Sequence, residues 1–319
     1  MSARLYDGPI IDAHHHVWEP KAHDYPWLSG DLLVPHRYGD YTAIKRDYLP
    51  DDLRRDARGV NLAGTVYVEA EWTPTDPIGE TAYVHEIADA HGLPNAMAAQ
   101  AWLDRDDVAE VLAGQAAFPL VRSVRHKPAG AGSPAEVAEG RRTTMSDERW
   151  RAGYALLAPN GLHFDLQTPW WNLKEAAELA RDFPETTLIV NHAGVPGDRA
   201  RATLDGWTEG MAALAARPNV VVKISGLCIA GRPWTVADNA EVVTTVLKLF
   251  GPERTMFGSN FPVDGMLASY REIFDGFREI AAPWSAADQR QMFFETAVRI
   301  YRPRFAAADA AKPSIAKAS

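Results

Sequence analysis

IIDAHHHVWEP, residues 10–20, carries two isoleucines and an aspartate straight into three adjacent histidines. It is a short β-rich run that ends in imidazoles. Seven more β-rich runs follow: GTVYVEAE (64–71), NAMAAQAWL (95–103), PLVRSVRH (119–126), LHFDLQ (162–167), TLIVNH (187–192), NVVVKISG (219–226) and TMFGSN (255–260). Between them, apolar residues recur at three- and four-residue spacing over Ile78 to His91, Asp106 to Ala117, Asn172 to Asp182 and Val236 to Phe250, which predicts helices. Asn172 with Glu175 reads as a capping box that starts one of these, and Phe183-Pro184 as its stop. Strand and helix alternating eight times predict parallel βαβ units. Eight units in 319 residues suit a closed α/β barrel, the (β/α)8 TIM barrel, better than an open doubly wound sheet.

On this reading residues 1–304 form one barrel domain and 305–319 a frayed C-terminal tail. Two segments exceed the minimal repeat, 17–50 and 129–146 (AGAGSPAEVAEGRRTTMS). Both follow strand C-termini, where barrel active sites lie, so they are expected to act as lids or to touch substrate.

Composition narrows the function. Hydrophobic residues make up 46% and charged residues 24% of the chain, an ordinary globular balance, and no apolar run spans a bilayer. The opening MSARLYDG lacks the apolar stretch of a secretory signal, which sets the expectation of a cytoplasmic protein. Cys228 is the only cysteine, so there is no internal disulfide and no thiolate metal cluster. A net charge of −9 without a basic stripe argues against nucleic acid and anionic membranes as partners. A small molecule is expected instead, and an anionic one would need particular arginines to hold it. Oligomeric state is left open.

Alternation of side chains along a strand places His14 and His16 on one face and His15 on the other. By the same rule His163, Asp165 and Gln167 share a face, as do Tyr67, Glu69 and Glu71. His192 ends the sixth strand and Lys223 lies in the seventh. Six of the ten histidines, at 14, 15, 16, 126, 163 and 192, thus fall at or in strand ends. A single buried histidine is most simply structural. Repeated imidazoles and carboxylates facing inward would cost several kcal/mol unsatisfied, so a functional pocket is the simpler account. Such groups match the nitrogen and oxygen ligands of Zn²⁺ or a similar ion, or they can polarise an acyl oxygen and position water without one. Both routes point to hydrolysis. No GxxxxGK[ST] loop, no GxGxxG after the first strand and no GxSxG elbow is present.

The motifs resemble those of a known family. IDAHHH, with His14 and His16, resembles the first-strand HxH of the amidohydrolase superfamily. SVRHKP, HFDLQ, IVNHAG, VVVKISGL and MFGSNFPVD resemble, in order, strand motifs of its lactonase branch, which includes L-fuconolactonase-like, 2-pyrone-4,6-dicarboxylate lactonase-like and sulfomuconolactone hydrolase enzymes. The resemblance runs from about Pro9 to Tyr301. It implies a barrel that hydrolyses a lactone, with one divalent metal ion, zinc or manganese, in those members that use one. Residue by residue it implies His14, His16 and His192 as metal ligands, and Arg125 with His126 as the fourth-strand RH pair, in which Arg125 holds the acyl oxygen or a substrate carboxylate. One departure stands out: Asn260 occupies the usual place of an eighth-strand aspartate, and an amide is no general base. Asp264 is the replacement candidate, His163 a further ligand candidate.

The reading is therefore a lactone hydrolase, with Asp264, His192, Arg125 and His126 as catalytic candidates. His163, Asp165, Glu69, Asn260 and Lys223 are the polar substrate contacts, and Trp18, Trp170, Tyr25, Trp27 and Trp171 an apolar wall. Two alternatives remain: a metal-dependent decarboxylase of the same superfamily, and a binder that has lost catalysis.

Overall fold

The computed structural model describes residues 5–31 and 33–305. Its eight strands are β1 Ile10–His15, β2 Leu62–Val68, β3 Ala96–Gln100, β4 Val121–Arg125, β5 His163–Leu166, β6 Leu188–Val190, β7 Val220–Ile224 and β8 Thr255–Phe257. They lie in one sheet in chain order, and each neighbouring pair from β1/β2 to β7/β8 is parallel. The sheet closes just past β8. His15 bridges to Phe261, the His16 N–H donates to the Phe261 carbonyl (2.8 Å), and the Asn260 N–H donates to that of His14 (2.7 Å). Side chains reinforce this seam: the Asp12 carboxylate accepts from the Ser259 N–H (2.8 Å), the Ser259 hydroxyl (2.6 Å) and the Tyr270 hydroxyl (3.0 Å). Asp12 is fully buried, and burial pushes its carboxyl up to about 6 against the pull of those donors.

A helix follows every strand, among them Gly79–His91, Val108–Ala116, Leu173–Asp182 and Val236–Phe250, as the apolar spacing predicts. The barrel is the (β/α)8 fold expected. One detail differs: Asn172 does not cap Leu173–Asp182, because its amide donates to the Thr168 hydroxyl (3.1 Å). Glu175 instead accepts from the Thr143 N–H and the Ser146 hydroxyl, which ties the 129–146 excursion to the barrel. The expected tail, 305–319, lies outside the described residues except for Phe305. Among the described residues no helix is long and apolar enough to cross a membrane.

The inside of the barrel is plugged. Ile11, Ala13, Val66, Ala96, Ile189, Val221, Met256 and Tyr301 pack together along its axis. Val66 therefore faces inward and Tyr67 outward, where its hydroxyl donates to Glu80 on Gly79–His91 (2.7 Å), the reverse of the faces expected for β2. Strand β1 shows why phase is hard to carry along a strand. Asp12 aligns with Thr65 and His15 with Tyr67, so three steps on β1 match two on β2. This bulge lets Ala13 join the plug while His14 and His16 still turn inward one level higher.

Candidate active site

A cavity of about 250 Å³ opens at the C-terminal ends of the strands. Six strand ends supply its wall: His16 after β1, Ala70 and Glu71 after β2, Arg125 and Lys127 at β4, Gln167 after β5, His192 after β6 and Asn260 after β8. The long segment after β1 adds Trp27, Val34, Pro35, His36 and Arg37.

The three inward imidazoles cluster at the wall, with His16 and His192 lining the cavity and His14 buried behind them, edge-on to His16 and tilted against His192. The His14 ring lies 5.2 Å from that of His16 and 4.5 Å from that of His192. His16 donates through Nδ1 to the Val68 carbonyl (2.7 Å), and His192 Nδ1 shares a hydrogen bond with Ser225 Oγ (3.0 Å). Both rings thus keep Nε2 for another partner. Burial, helped by the neighbouring positive charges, holds all three well below the ordinary histidine range, so they are neutral. Both His14 nitrogens are buried without a hydrogen-bond partner, which is the kind of donor a metal ion would take. Yet among the described residues no three His, Cys, Asp or Glu side chains are grouped to hold an ion. The ligand set His14, His16 and His192 is not assembled as a three-point centre, and the eighth-strand carboxylate that would complete it is Asn260. The residues present do not fit a resident ion.

Arg125 is locked in place. Its Nε pairs with Glu69, an Nη2 proton goes to the Glu69 carbonyl, and Nη1 donates to Gln167 (3.1 Å) on the cavity wall. Glu69 is accordingly an orienter of Arg125 and not a cavity contact. Asp264 lies behind Asn260, its Oδ1 accepting from the Asn260 amide (2.7 Å) and the Tyr38 hydroxyl (2.9 Å), with Arg37 Nη2 at 4.0 Å. Burial raises its carboxyl despite these donors.

Several expected site residues lie elsewhere. His126 follows Arg125 by one residue and so points the opposite way: its Nδ1 accepts from the Leu103 N–H (3.1 Å) and the Trp150 indole (3.0 Å), which makes it a structural link to the helix layer. His163 opens β5 instead of ending it, pairs with Ser123 and neighbours Arg302 at the closed end of the barrel. Asp165 and Lys223 form a fully buried ion pair (2.7 Å), with Asn191 and the Tyr301 hydroxyl each donating to Asp165 at 2.7 Å. They sit in the plug, beneath the cavity. Trp18 is buried flat against His16, Tyr25 packs edge-on to Trp72, Trp170 packs over Gly206, and Trp171 donates to the Ala131 carbonyl. Of the aromatic wall only Trp27 lines the cavity. Arg37, Lys127, Glu71 and Gln167 were missed as contacts, although the strand phase places Gln167 inward and Arg37 belongs to the overlong segment.

Backbone strain gathers at this wall. Glu71 (φ 60°), His192 (φ 54°) and Asn260 (φ 57°) all adopt left-handed conformations, and all three line the cavity. After β6 the left-handed turn continues through Ala193 (φ 50°), Gly194 (φ 70°) and Val195 (φ 49°), anchored by the Trp207 indole on the Ala193 carbonyl (2.7 Å). Each non-glycine residue so placed costs roughly 1–2 kcal/mol, most of all a β-branched one. Replacing Val195 with glycine should therefore raise the thermal midpoint by about 2–4 °C. An unchanged or lower midpoint in a melting experiment would show that the turn stores no strain.

A plugged barrel with a cationic, imidazole-lined cavity at its strand C-termini is the frame of a small-molecule hydrolase. The chain belongs to the Amidohydrolase family, whose model matches residues 11–302. It is 30% identical over 303 residues to L-fucono-1,5-lactonase from Burkholderia multivorans, covering 91% of this chain and 95% of that one. It is 36% identical over 298 residues to an uncharacterized protein of Sinorhizobium fredii, covering 93% of this chain and all (100%) of that one. The crystal structure of an amidohydrolase from Burkholderia multivorans with bound zinc matches with a TM-score of 0.76 at 28% identity, covering 93% of this chain and 100% of that one. The protein is a hydrolytic enzyme of the lactonase branch, as its motifs indicated.

Proposed function

We propose that the enzyme opens the ring of a small lactone with water. The observation that carries this reading is the convergence on one cavity of a fixed guanidinium, Arg125, and neutral imidazoles with a free nitrogen, His16 and His192, beside Asn260. Ring opening needs those parts. Asn260, its amide pinned by Asp264, offers its carbonyl oxygen to the water, and His192 takes the proton as the water oxygen bonds to the acyl carbon. Arg125 Nη1 holds the oxyanion that forms. Collapse breaks the ring C–O bond, and the leaving alkoxide recovers the proton from His192. The product is a hydroxy acid, which ionises and acidifies the medium. The lactonase names of relatives such as the one from Burkholderia multivorans support the same choice.

Asp264 acts in this scheme as a positioning residue. Replacing it with asparagine keeps the shape but removes the charge that orients Asn260 and Tyr38, and should lower kcat/KM about 50-fold. The test is a pH-indicator assay on a panel of sugar lactones and carboxylate-bearing lactones, with Asp264→Asn alongside. Release of acid by the wild type and its loss in the variant support the reading. Full activity in Asp264→Asn removes Asp264 from the scheme, and CO₂ evolution without ring opening would favour a decarboxylase instead.

A further inference from the structure

The charges on the cavity wall do not balance. Three cationic side chains line it, Arg37, Arg125 and Lys127, against one carboxylate, Glu71. Lys127 is paired with Glu71, and Arg125 with Glu69 just behind the wall. Arg37 is different. Among the described residues its guanidinium makes no hydrogen bond; it lies over the Tyr38 ring (4.6 Å), and its nearest carboxylate is Asp264 at 4.0 Å, already held by Asn260 and Tyr38. The bare backbone of Gly226 lets it reach inward: a Cβ there would stand 2.6 Å from Arg37 Nη2 and 2.4 Å from His192 Nδ1. A planar, permanently charged donor set with no hydrogen bond among the described residues therefore stands next to the imidazole assigned to the water, in a chain whose overall charge is −9. A general electropositive surface cannot explain that placement.

We propose that the substrate carries, besides the lactone ring, a carboxylate that docks on Arg37. This rests on the lactonase reading above and narrows it: the preferred substrate is an acid-bearing lactone and not a neutral sugar lactone. Arg125 then serves the acyl oxygen and Arg37 the distant carboxylate, two guanidinium sites on one small cavity. The preference comes from charge-assisted hydrogen bonds, each worth enough to change affinity by one to two orders of magnitude.

The test compares a five-membered lactone bearing a carboxymethyl group with the same lactone carrying a primary amide there. The ratio of kcat/KM, acid over amide, should be about 100 for the wild type, about 1 for Arg37→Met, and intermediate for Arg37→Lys. A ratio near 1 in the wild type, or one unchanged in Arg37→Met, overturns the proposal while leaving a lactonase standing. Titration calorimetry with glutarate, a dicarboxylate that cannot be hydrolysed, separates the two claims. If neither lactone turns over, glutarate binding that weakens tenfold or more in Arg37→Met still supports the carboxylate site, and glutarate binding that is absent or unaffected by the substitution overturns it.

Discussion

Arg125→Met should lose about 10³-fold in kcat/KM and, separately, much of the protein's stability. The two losses have different causes. Arg125 and Glu69 are both buried, at 3% and 4% side-chain exposure, so removing the cation leaves a carboxylate without its partner in the interior. Breaking such a pair costs about 3–5 kcal/mol, chiefly through the charge left behind. The double variant Arg125→Met/Glu69→Gln removes that charge too and should recover most of the stability while staying as inactive as the single variant. Thermal melts and the indicator assay on both proteins check this. Recovery of activity together with stability would mean that Arg125 is scaffolding and that another group holds the oxyanion.

His192→Gln should be comparably inactive, with kcat reduced about 10³-fold and KM changed little, because in the proposed mechanism it removes the proton acceptor and leaves the cavity's charges in place. The wild-type pH profile belongs to the same prediction. A base must be deprotonated to act, and burial with Arg37 and Arg125 nearby lowers the His192 pKa. Activity should therefore persist as pH falls through about 6.5, where an exposed histidine protonates, and decline only well below it. A decline centred near 6.5, or a loss in His192→Gln smaller than tenfold, would transfer the role to a different group.

These residues differ in how readily the sequence reveals them. Eight apolar runs and their spacing were sufficient for the barrel, because strand and helix periods are local properties of the chain. His16, Arg125, His192 and Asn260 were legible too, since each stands at a strand end. His163 was misplaced because a strand's two ends look alike in sequence, yet one faces the mouth and the other the floor. His126 was legible in principle: alternation forbids it from sharing a face with Arg125, so the RH pair could not act together. The bulge in β1 left no local mark, and neither did the reach of Arg37, which depends on a loop folding back across the mouth to Gly226.

The plug of Ile11, Val66, Met256, Tyr301 and their neighbours bears on turnover as well as on packing. With the axis filled and the Asp165–Lys223 pair buried beneath the cavity, the floor of the site is closed by packed side chains. On the lactonase reading proposed above, ring opening adds a carboxylate to a molecule held among Arg37, Arg125 and Lys127, so the product should leave against a stronger attraction than the one that admitted the lactone. On the same reading, release of the hydroxy acid is then expected to limit turnover once the chemistry is fast, with inhibition by accumulated product.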